Sequence, residues 1–151
     1  MSSVVVYGDV SPNVIDGSSI WLMSISEVLS GVFDEVHIQL KSHPQNRTLL
    51  SAIDGIANIH IHAPEGIADD AALSTTAAAE LVERLVKENR ATAVVVRGFQ
   101  AVYDFSLNEK ISPMLWSYVT DLPFPPKKLS GTNVQRLKHI AEYSRCLLYT
   151  S

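Results

Sequence analysis

The sequence predicts an α/β protein with a Rossmann-like, doubly wound parallel sheet in a three-layer α/β/α arrangement. Two observations lead to this fold class. Apolar runs of strand length alternate along the chain with segments of helical pattern, as in parallel strands joined by helical crossovers. Two of those runs, residues 4–7 and 93–96, are uninterrupted and rich in valine, as expected of strands that are covered on both faces.

The hydrophobic pattern also predicts the strand order. The two fully apolar strands should be neighbours at the centre of the sheet, because only central strands are buried on both faces. The runs 36–40 and 56–62 alternate between apolar and polar residues, which places them nearer one edge with one wetter face. The implied order is 3-2-1-4-5-6, with the switch point between the first and fourth strands. Ligands of open parallel sheets bind at the carboxyl ends of the strands that flank such a point.

The helices have local signals. Ser18 or Ser19 can cap a first helix that runs to about residue 29 and ends at Gly31. Its apolar residues cover more than one stripe, which predicts a well-buried helix. Residues 71–89 form the clearest helical pattern, rich in Ala, Glu and Lys. The other predicted elements are helices at 48–53, 100–105 and 134–143, a strand at 114–119, a loop at 121–126 and a final strand-like run at 145–151.

Length and composition narrow the class of protein. A chain of 151 residues suits one domain with a real core. The net charge of −4 gives no basic footprint, so we expect no nucleic-acid partner. One cysteine excludes an internal disulfide. The chain starts without a basic signal-peptide region and has no apolar run of membrane-spanning length, so we expect a cytoplasmic protein.

The loop after the first strand is the first candidate site. It is polar and leads into the first helix through Asp16, Gly17 and Ser18. Glycine lets a ligand approach the backbone, and the free N–H groups of a helix start attract anionic oxygens. The other interpretation is a solvated loop with an ordinary helix cap. The loop lacks the three-glycine dinucleotide fingerprint and the phosphate-loop lysine, which excludes a simple nicotinamide or P-loop site.

Two further candidates follow the central strands. Arg97 directly follows the valine run at 93–96 and could direct its guanidinium into the crevice to hold a carboxylate, a phosphate or a sugar hydroxyl. A salt bridge at the sheet edge is the alternative. Asp121 follows the fifth strand and could accept hydrogen bonds from ligand hydroxyls, or it could only form a turn.

The histidines do not predict a metal site. His60 and His62 are two residues apart on a strand and share a face, and His37 is a conceivable third ligand. No other donor flanks them in sequence, so no metal is expected. No Ser/His/Asp set can be assembled either, and the catalytic residues stay unassigned.

Four segments, in their order along the chain, resemble a known family. They are the loop at 9–19, the strand that ends in Arg97-Gly98, the stretch at 118–123 and the closing helix and strand at 140–151. Together they resemble the N-terminal domain of a retaining, group 1-like glycosyltransferase with the GT-B fold of two Rossmann-like domains.

This resemblance implies a domain organisation and a function. Residues 1–151 would be the acceptor-side domain, which binds a glycan or a related small molecule. A C-terminal domain, absent from this sequence, would bind the nucleotide-sugar donor, so the chain alone would be inactive. Such enzymes usually need no divalent metal, and no cofactor is expected. The uncovered last strand is expected to promote homodimerisation through apolar surface.

The resemblance also suggests roles for the candidate residues. Gly17 and Ser18 would lie beside the donor diphosphate, whereas Asp16, Arg97 and Asp121 would bind acceptor hydroxyls or orient the substrate. Many of these enzymes place a histidine in the cleft, but none directly follows Arg97 here. Two alternatives stay open: a free-standing flavodoxin-like or Rossmann-like ligand-binding module, and a non-catalytic interaction domain.

Overall fold

A computed structural model describes residues 1–120 and 131–149 of the chain. Within these ranges the protein has six strands and four α-helices. The strands are β1 (Ser3–Gly8), β2 (Glu35–Gln39), β3 (Ile59–His62), β4 (Ala93–Arg97), β5 (Leu115–Val119) and β6 (Cys146–Tyr149). The helices are α1 (Gly17–Ser30), α2 (Thr75–Asn89), α3 (Phe99–Ser106) and α4 (Gly131–Tyr143), with short 3-10 turns at Leu50–Ala52 and Ser112–Met114.

The strands form one parallel sheet in the order β3-β2-β1-β4-β5-β6, which confirms the predicted fold class and strand order. All six residues of β1 are buried. β1 pairs with β2 on one side and β4 on the other, so that Val6 lies opposite both Ile38 and Val95. The point at which the strand order reverses is therefore at the centre of the sheet.

The core is divided between the two faces of the sheet. On one face, Tyr7 and Val96 belong to a cluster that includes residues of α2, α3 and α4, and the ring of Tyr7 stacks on Phe105 with centroids 5.4 Å apart. On the other face, Val6 packs with Leu22 of α1. The result is the predicted three-layer arrangement. No helix in the described ranges combines the length and the apolar character needed to cross a bilayer.

Helix α1 differs from its prediction in its N-cap residue and in how much of its surface is buried. Its N-cap is Asp16, not Ser18 or Ser19, because Asp16 has the extended backbone that a cap requires and its side chain accepts a hydrogen bond from the Ser19 N–H. Leu22 is buried, but Ile20 and Val28 are 50% and 62% exposed. The helix thus buries one stripe, and the prediction of a well-buried helix was wrong.

The other predicted elements are confirmed with shifted ends. Helix α2 begins at Thr75, capped by Ser74, since the preceding residues are extended: the Leu73 N–H donates to the Lys41 carbonyl oxygen. Strand β3 begins at Ile59, after a turn in which the Ile59 N–H donates to the Ile56 carbonyl. The predicted helix at 48–53 is a 3-10 turn. The predicted loop at 121–126 lies outside the described residues.

The turn from β4 into α3 requires a glycine. Gly98 has a φ of +110°, and a Cβ built on it would lie 3.1 Å from the Cβ of Asp9. Both the backbone conformation and the close approach of the loop after β1 therefore exclude a larger residue. Beside Gly98, the Asp9 N–H donates to the Arg97 carbonyl oxygen at 3.2 Å and joins the ends of β1 and β4.

Substitution of Gly98 by alanine tests this requirement. We expect Gly98→Ala to lower the free energy of unfolding by about 1–3 kcal/mol, because the residue is forced into a disfavoured conformation against Asp9. Gly55→Ala is the matched control, since a Cβ at Gly55 meets no atom within 4 Å. Urea denaturation measures both, and equal stabilities of the two variants would contradict the argument.

Candidate functional site

A hollow of about 280 Å³ lies at the carboxyl ends of β1 and β4, where the strand order reverses. The loop after β1, the first turn of α1, the start of α3 and the residue after β5 all contribute to it. Its lining residues are Asp9, Val10, Ser18, Arg97, Gly98, Phe99, Gln100 and Thr120. The structure therefore brings Ser18 and Arg97, which are far apart in sequence, into one hollow.

The start of α1 is organised by Asp16. Its carboxylate accepts from the Ser19 N–H at 2.9 Å, and its own N–H donates to the Ser19 Oγ at 3.0 Å. The Ser19 N–H, with a smaller contribution from the Ser18 N–H, holds the pKa of the Asp16 carboxyl below its usual range. Asp16 is thus a helix cap, and its negative charge already occupies the helix end that would otherwise attract an anion.

Gly17 leaves the approach to this turn open. A Cβ built on Gly17 would meet no atom within 4 Å, and its φ is not in the left-handed range. Neither strain nor packing in the described part of the chain therefore requires glycine at this position. Gly17 and Asp16 are not among the residues that line the hollow, and the missing side chain of Gly17 leaves free space next to Ser18.

Arg97 is held in the hollow by two aromatic rings. The Trp21 and Tyr118 rings stack with centroids 5.3 Å apart, and the Arg97 Cζ lies 5.4 Å from the first centroid and 5.9 Å from the second. Cation–π contacts of this kind stabilise a guanidinium without using its N–H groups. The charge of Arg97 also contributes to the lowered pKa of Asp16.

The donors of Arg97 are largely unused. Its Nε and Nη1 atoms are buried and have no hydrogen-bond partner in the part of the chain that the structure describes. Buried polar groups without partners are rare and costly, and they are found where a ligand or water completes the bonding. The Arg97 guanidinium is therefore suited to bind an oxygen-rich group such as a phosphate, a carboxylate or sugar hydroxyls.

Asp9 forms a separate network beside the hollow. Its carboxylate pairs with the Lys41 Nζ at 3.0 Å and accepts from the Tyr7 hydroxyl at 3.2 Å. Burial, reinforced by the Asp9 charge, raises the pKa of Tyr7 far above its usual value, so its hydroxyl stays protonated and donates. The Lys41 charge is thereby matched by Asp9, whereas Arg97 has no such partner among the described residues.

Sequence reasoning missed the aromatic pair that holds Arg97. Period-two alternation along β5 could have placed Tyr118 on the α1 side of the sheet, but nothing local signals that Trp21 meets it. Asp121, the remaining predicted site residue, lies outside the described residues, although the preceding residue Thr120 lines the hollow. Its predicted contact with ligand hydroxyls stays a prediction.

The histidines form a second polar cluster at the other end of the strands. The parallel register places His37 opposite His60, and Glu35 reaches His60 across the strands. The His37 Nδ1 lies 2.9 Å from the His62 Nε2. Burial, followed by the neighbouring histidines, lowers the pKa of His37 to about 4, so its ring is neutral near pH 7. The register thus supplies Glu35, the donor that was absent from the sequence pattern.

Comparison with known proteins shows the fold. No protein-family model matches the chain, and no curated protein matches it either. MurG of Acinetobacter baumannii aligns with 99% of this chain and 41% of its own, with a TM-score of 0.56 and 13% identity. UGT2 of Phytolacca americana, solved with UDP-2-fluoro-glucose and pterostilbene, aligns over 99% and 48%, with a TM-score of 0.55 and 12% identity.

The chain shares its Rossmann-like fold with part of each of these two proteins. The predicted resemblance is confirmed at this level, since both neighbours are GT-B glycosyltransferases. The chain spans less than half the length of each. The hollow with Arg97 lies where ligands bind in open parallel sheets of this type.

The unused donors of Arg97 give a testable prediction about stability. We expect Arg97→Met to change the free energy of unfolding by less than about 1 kcal/mol, because the lost cation–π contacts are offset by removal of two buried nitrogens that have no partner among the described residues. If the guanidinium instead formed a desolvated salt bridge, its removal would cost about 3–5 kcal/mol.

Urea denaturation distinguishes the two cases. Leu22→Ala is the reference for a true core loss, since Leu22 is 1% exposed, and it should cost about 2–5 kcal/mol. A loss in Arg97→Met as large as that of Leu22→Ala would show that the arginine is a structural element.

Proposed function

We propose that this chain is the N-terminal, acceptor-side domain of a two-domain glycosyltransferase. The intact enzyme would move a sugar from a nucleotide-sugar donor to a glycan or a related small molecule. The donor would bind a C-terminal domain outside this sequence, and the 151-residue chain alone would have no transferase activity.

The observation that carries this proposal is the Arg97 guanidinium, which lies in a hollow at the switch point of the sheet. Its Nε and Nη1 atoms are buried and have no hydrogen-bond partner among the described residues. A hollow at this position faces outward from the carboxyl ends of the strands, where a second domain can cover it. UGT2, which shares the fold, was solved with UDP-2-fluoro-glucose and pterostilbene. These observations support a site in which sugar and phosphate oxygens are bound.

Each candidate residue would have its own role in binding. Arg97 would bind substrate oxygens and offset the negative charge that develops on the departing diphosphate. Gly17 would let that group approach the first turn of α1, next to Ser18. Asp16 would fix the turn as its cap and limit how strongly the helix end attracts anions. Asp121 would accept hydrogen bonds from acceptor hydroxyls.

The test is isothermal titration of the full-length protein that contains this chain with UDP-sugars and GDP-sugars, followed by transfer assays. We expect at least one nucleotide-sugar to bind and to be turned over. Arg97→Met should lower kcat/KM by about tenfold to 100-fold, the loss expected for hydrogen bonds to a charged group. Arg47→Met is the matched control, because Arg47 pairs with Asp54 on the surface.

Three outcomes would decide against the proposal. A full-length protein that binds no nucleotide-sugar would contradict the glycosyltransferase assignment. Ligand binding and full function by the 151-residue chain alone would instead support the free-standing Rossmann-like module. Unchanged function in Arg97→Met would favour an interaction domain.

A further inference from the structure

Three side chains of types that can ligate metals lie close together on one face of β2 and β3. Glu35 begins β2, His37 follows two residues later on the same face, and His60 lies opposite His37 on the edge strand β3. One ligand atom from each of the three lies within 4.8 Å of the others. The His60 Nε2 contacts the Glu35 carboxylate, and the His37 and His60 rings stack with centroids 4.9 Å apart.

His62 provides the outer contact that metal-bound histidines usually have. The His37 Nδ1 lies 2.9 Å from the His62 Nε2. When His37 uses its Nε2 as a ligand, its Nδ1 carries the proton and donates to His62. A hydrogen bond of this kind fixes the tautomer and the ring orientation of a ligand histidine.

The cluster is reachable by a dissolved ion. The side chains of Glu35 and His60 are 29% and 43% exposed, whereas His37 is buried at the base of the cluster. They line a hollow of about 410 Å³ together with Glu88 and Arg90 at the end of α2. Glu88 adds favourable charge for a cation, whereas Arg90 and the Met1 terminus, which also line the hollow, oppose it. The Glu35 carboxylate is the negatively charged group within the cluster itself.

We propose that Glu35, His37 and His60 bind one divalent transition-metal ion, for which Zn²⁺ is the best-suited common candidate. Two imidazoles and one carboxylate form a known zinc donor set, and a water completes four-coordination. Imidazole ligands favour zinc and its neighbours over Mg²⁺ and Ca²⁺, which prefer oxygen. Binding requires the Glu35 carboxylate and the His60 ring to move slightly apart. Both side chains are partly exposed and can do so.

The site is independent of the proposed transferase hollow. Glu35 pairs with Ser3 at the amino end of β1, whereas Arg97 pairs with Gly8 at the carboxyl end. A metal here joins the edge strand β3 to β2, which predicts stabilisation of the sheet edge and no part in sugar transfer. Its failure would leave the proposed function untouched.

The experiment uses the full 151-residue chain, without an affinity tag and stripped with a chelator. Zn²⁺ binding is measured by competition with a chromogenic chelator, and melting temperature is measured with and without Zn²⁺. We expect one Zn²⁺ per chain and a higher melting temperature with the metal, since an ion that binds only the folded state stabilises it. Co²⁺ should give a spectrum without a thiolate charge-transfer band, which separates this site from Cys146.

Matched variants make the assignment specific. His60→Gln should weaken Zn²⁺ binding by more than about 100-fold, and His62→Leu by about 10–100-fold, the range for loss of an outer-shell contact. Glu35→Gln should weaken it as well, whereas His43→Gln, outside the cluster, should leave it unchanged. Metal-free melting curves show whether each variant folds.

The proposal would be overturned by three results. The first is Zn²⁺ binding in His60→Gln as tight as in the parent chain. The second is a Co²⁺ spectrum with thiolate character. The third is a metal-free parent chain that binds no Zn²⁺.

Discussion

The parallel pairing of β1 with both of its neighbours is the constraint on which the rest of the structure depends. Because β1 is buried throughout, the chain must leave it for β2 on one side and later return to β4 on the other. The two crossovers diverge above the carboxyl end of β1 and leave a crevice. The Asp9 N–H, which donates to the Arg97 carbonyl oxygen at 3.2 Å, continues the pairing beyond the strand. Gly98 allows the two chain segments to meet there.

The charged side chains at this crevice differ in whether a protein group already pairs with them, and this determines which of them can bind a ligand. Asp9 is matched by Lys41, and the Asp16 carboxylate is engaged by the first turn of α1. Arg97 is held by ring faces, which stabilise its charge but leave two of its nitrogens without partners among the described residues. The hollow therefore offers a cation with directional donors, although the loop that leads into it is acidic. That combination selects oxygen-rich ligands over simple anions, since hydroxyls can donate to the acids while they accept from the arginine.

The fold was predictable from the sequence because strands that are buried on both faces have continuous apolar sequences. The uninterrupted valine runs of β1 and β4 are such sequences. Within the site, the sequence predicted only residues whose place along a strand determines where they lie, as for Arg97 at the end of a central strand. Contacts that depend on strand register or on a partner from another element could not be predicted from the sequence. The sequence predicts Ser18 or Ser19 as the N-cap of α1, but aspartate caps helices equally well. Only the backbone geometry identifies Asp16 as the cap. Glu35 joins the histidines through pairing that no sequence spacing reveals.

The fold alone does not establish the chemistry, since Rossmann-like domains support many unrelated activities. At 12–13% identity, the structural neighbours show the backbone fold but no side-chain roles. A role in sugar transfer would therefore depend on the side chains that this chain places on the shared backbone. The Arg97 guanidinium is held by Trp21 and Tyr118, and its buried Nε and Nη1 atoms have no hydrogen-bond partner among the described residues. Buried polar groups without partners are costly. Because the cation–π contacts offset this cost, Arg97→Met is expected to be nearly neutral for stability, so packing alone does not require an arginine at the switch point, and an oxygen-rich ligand remains the proposed partner of its donors.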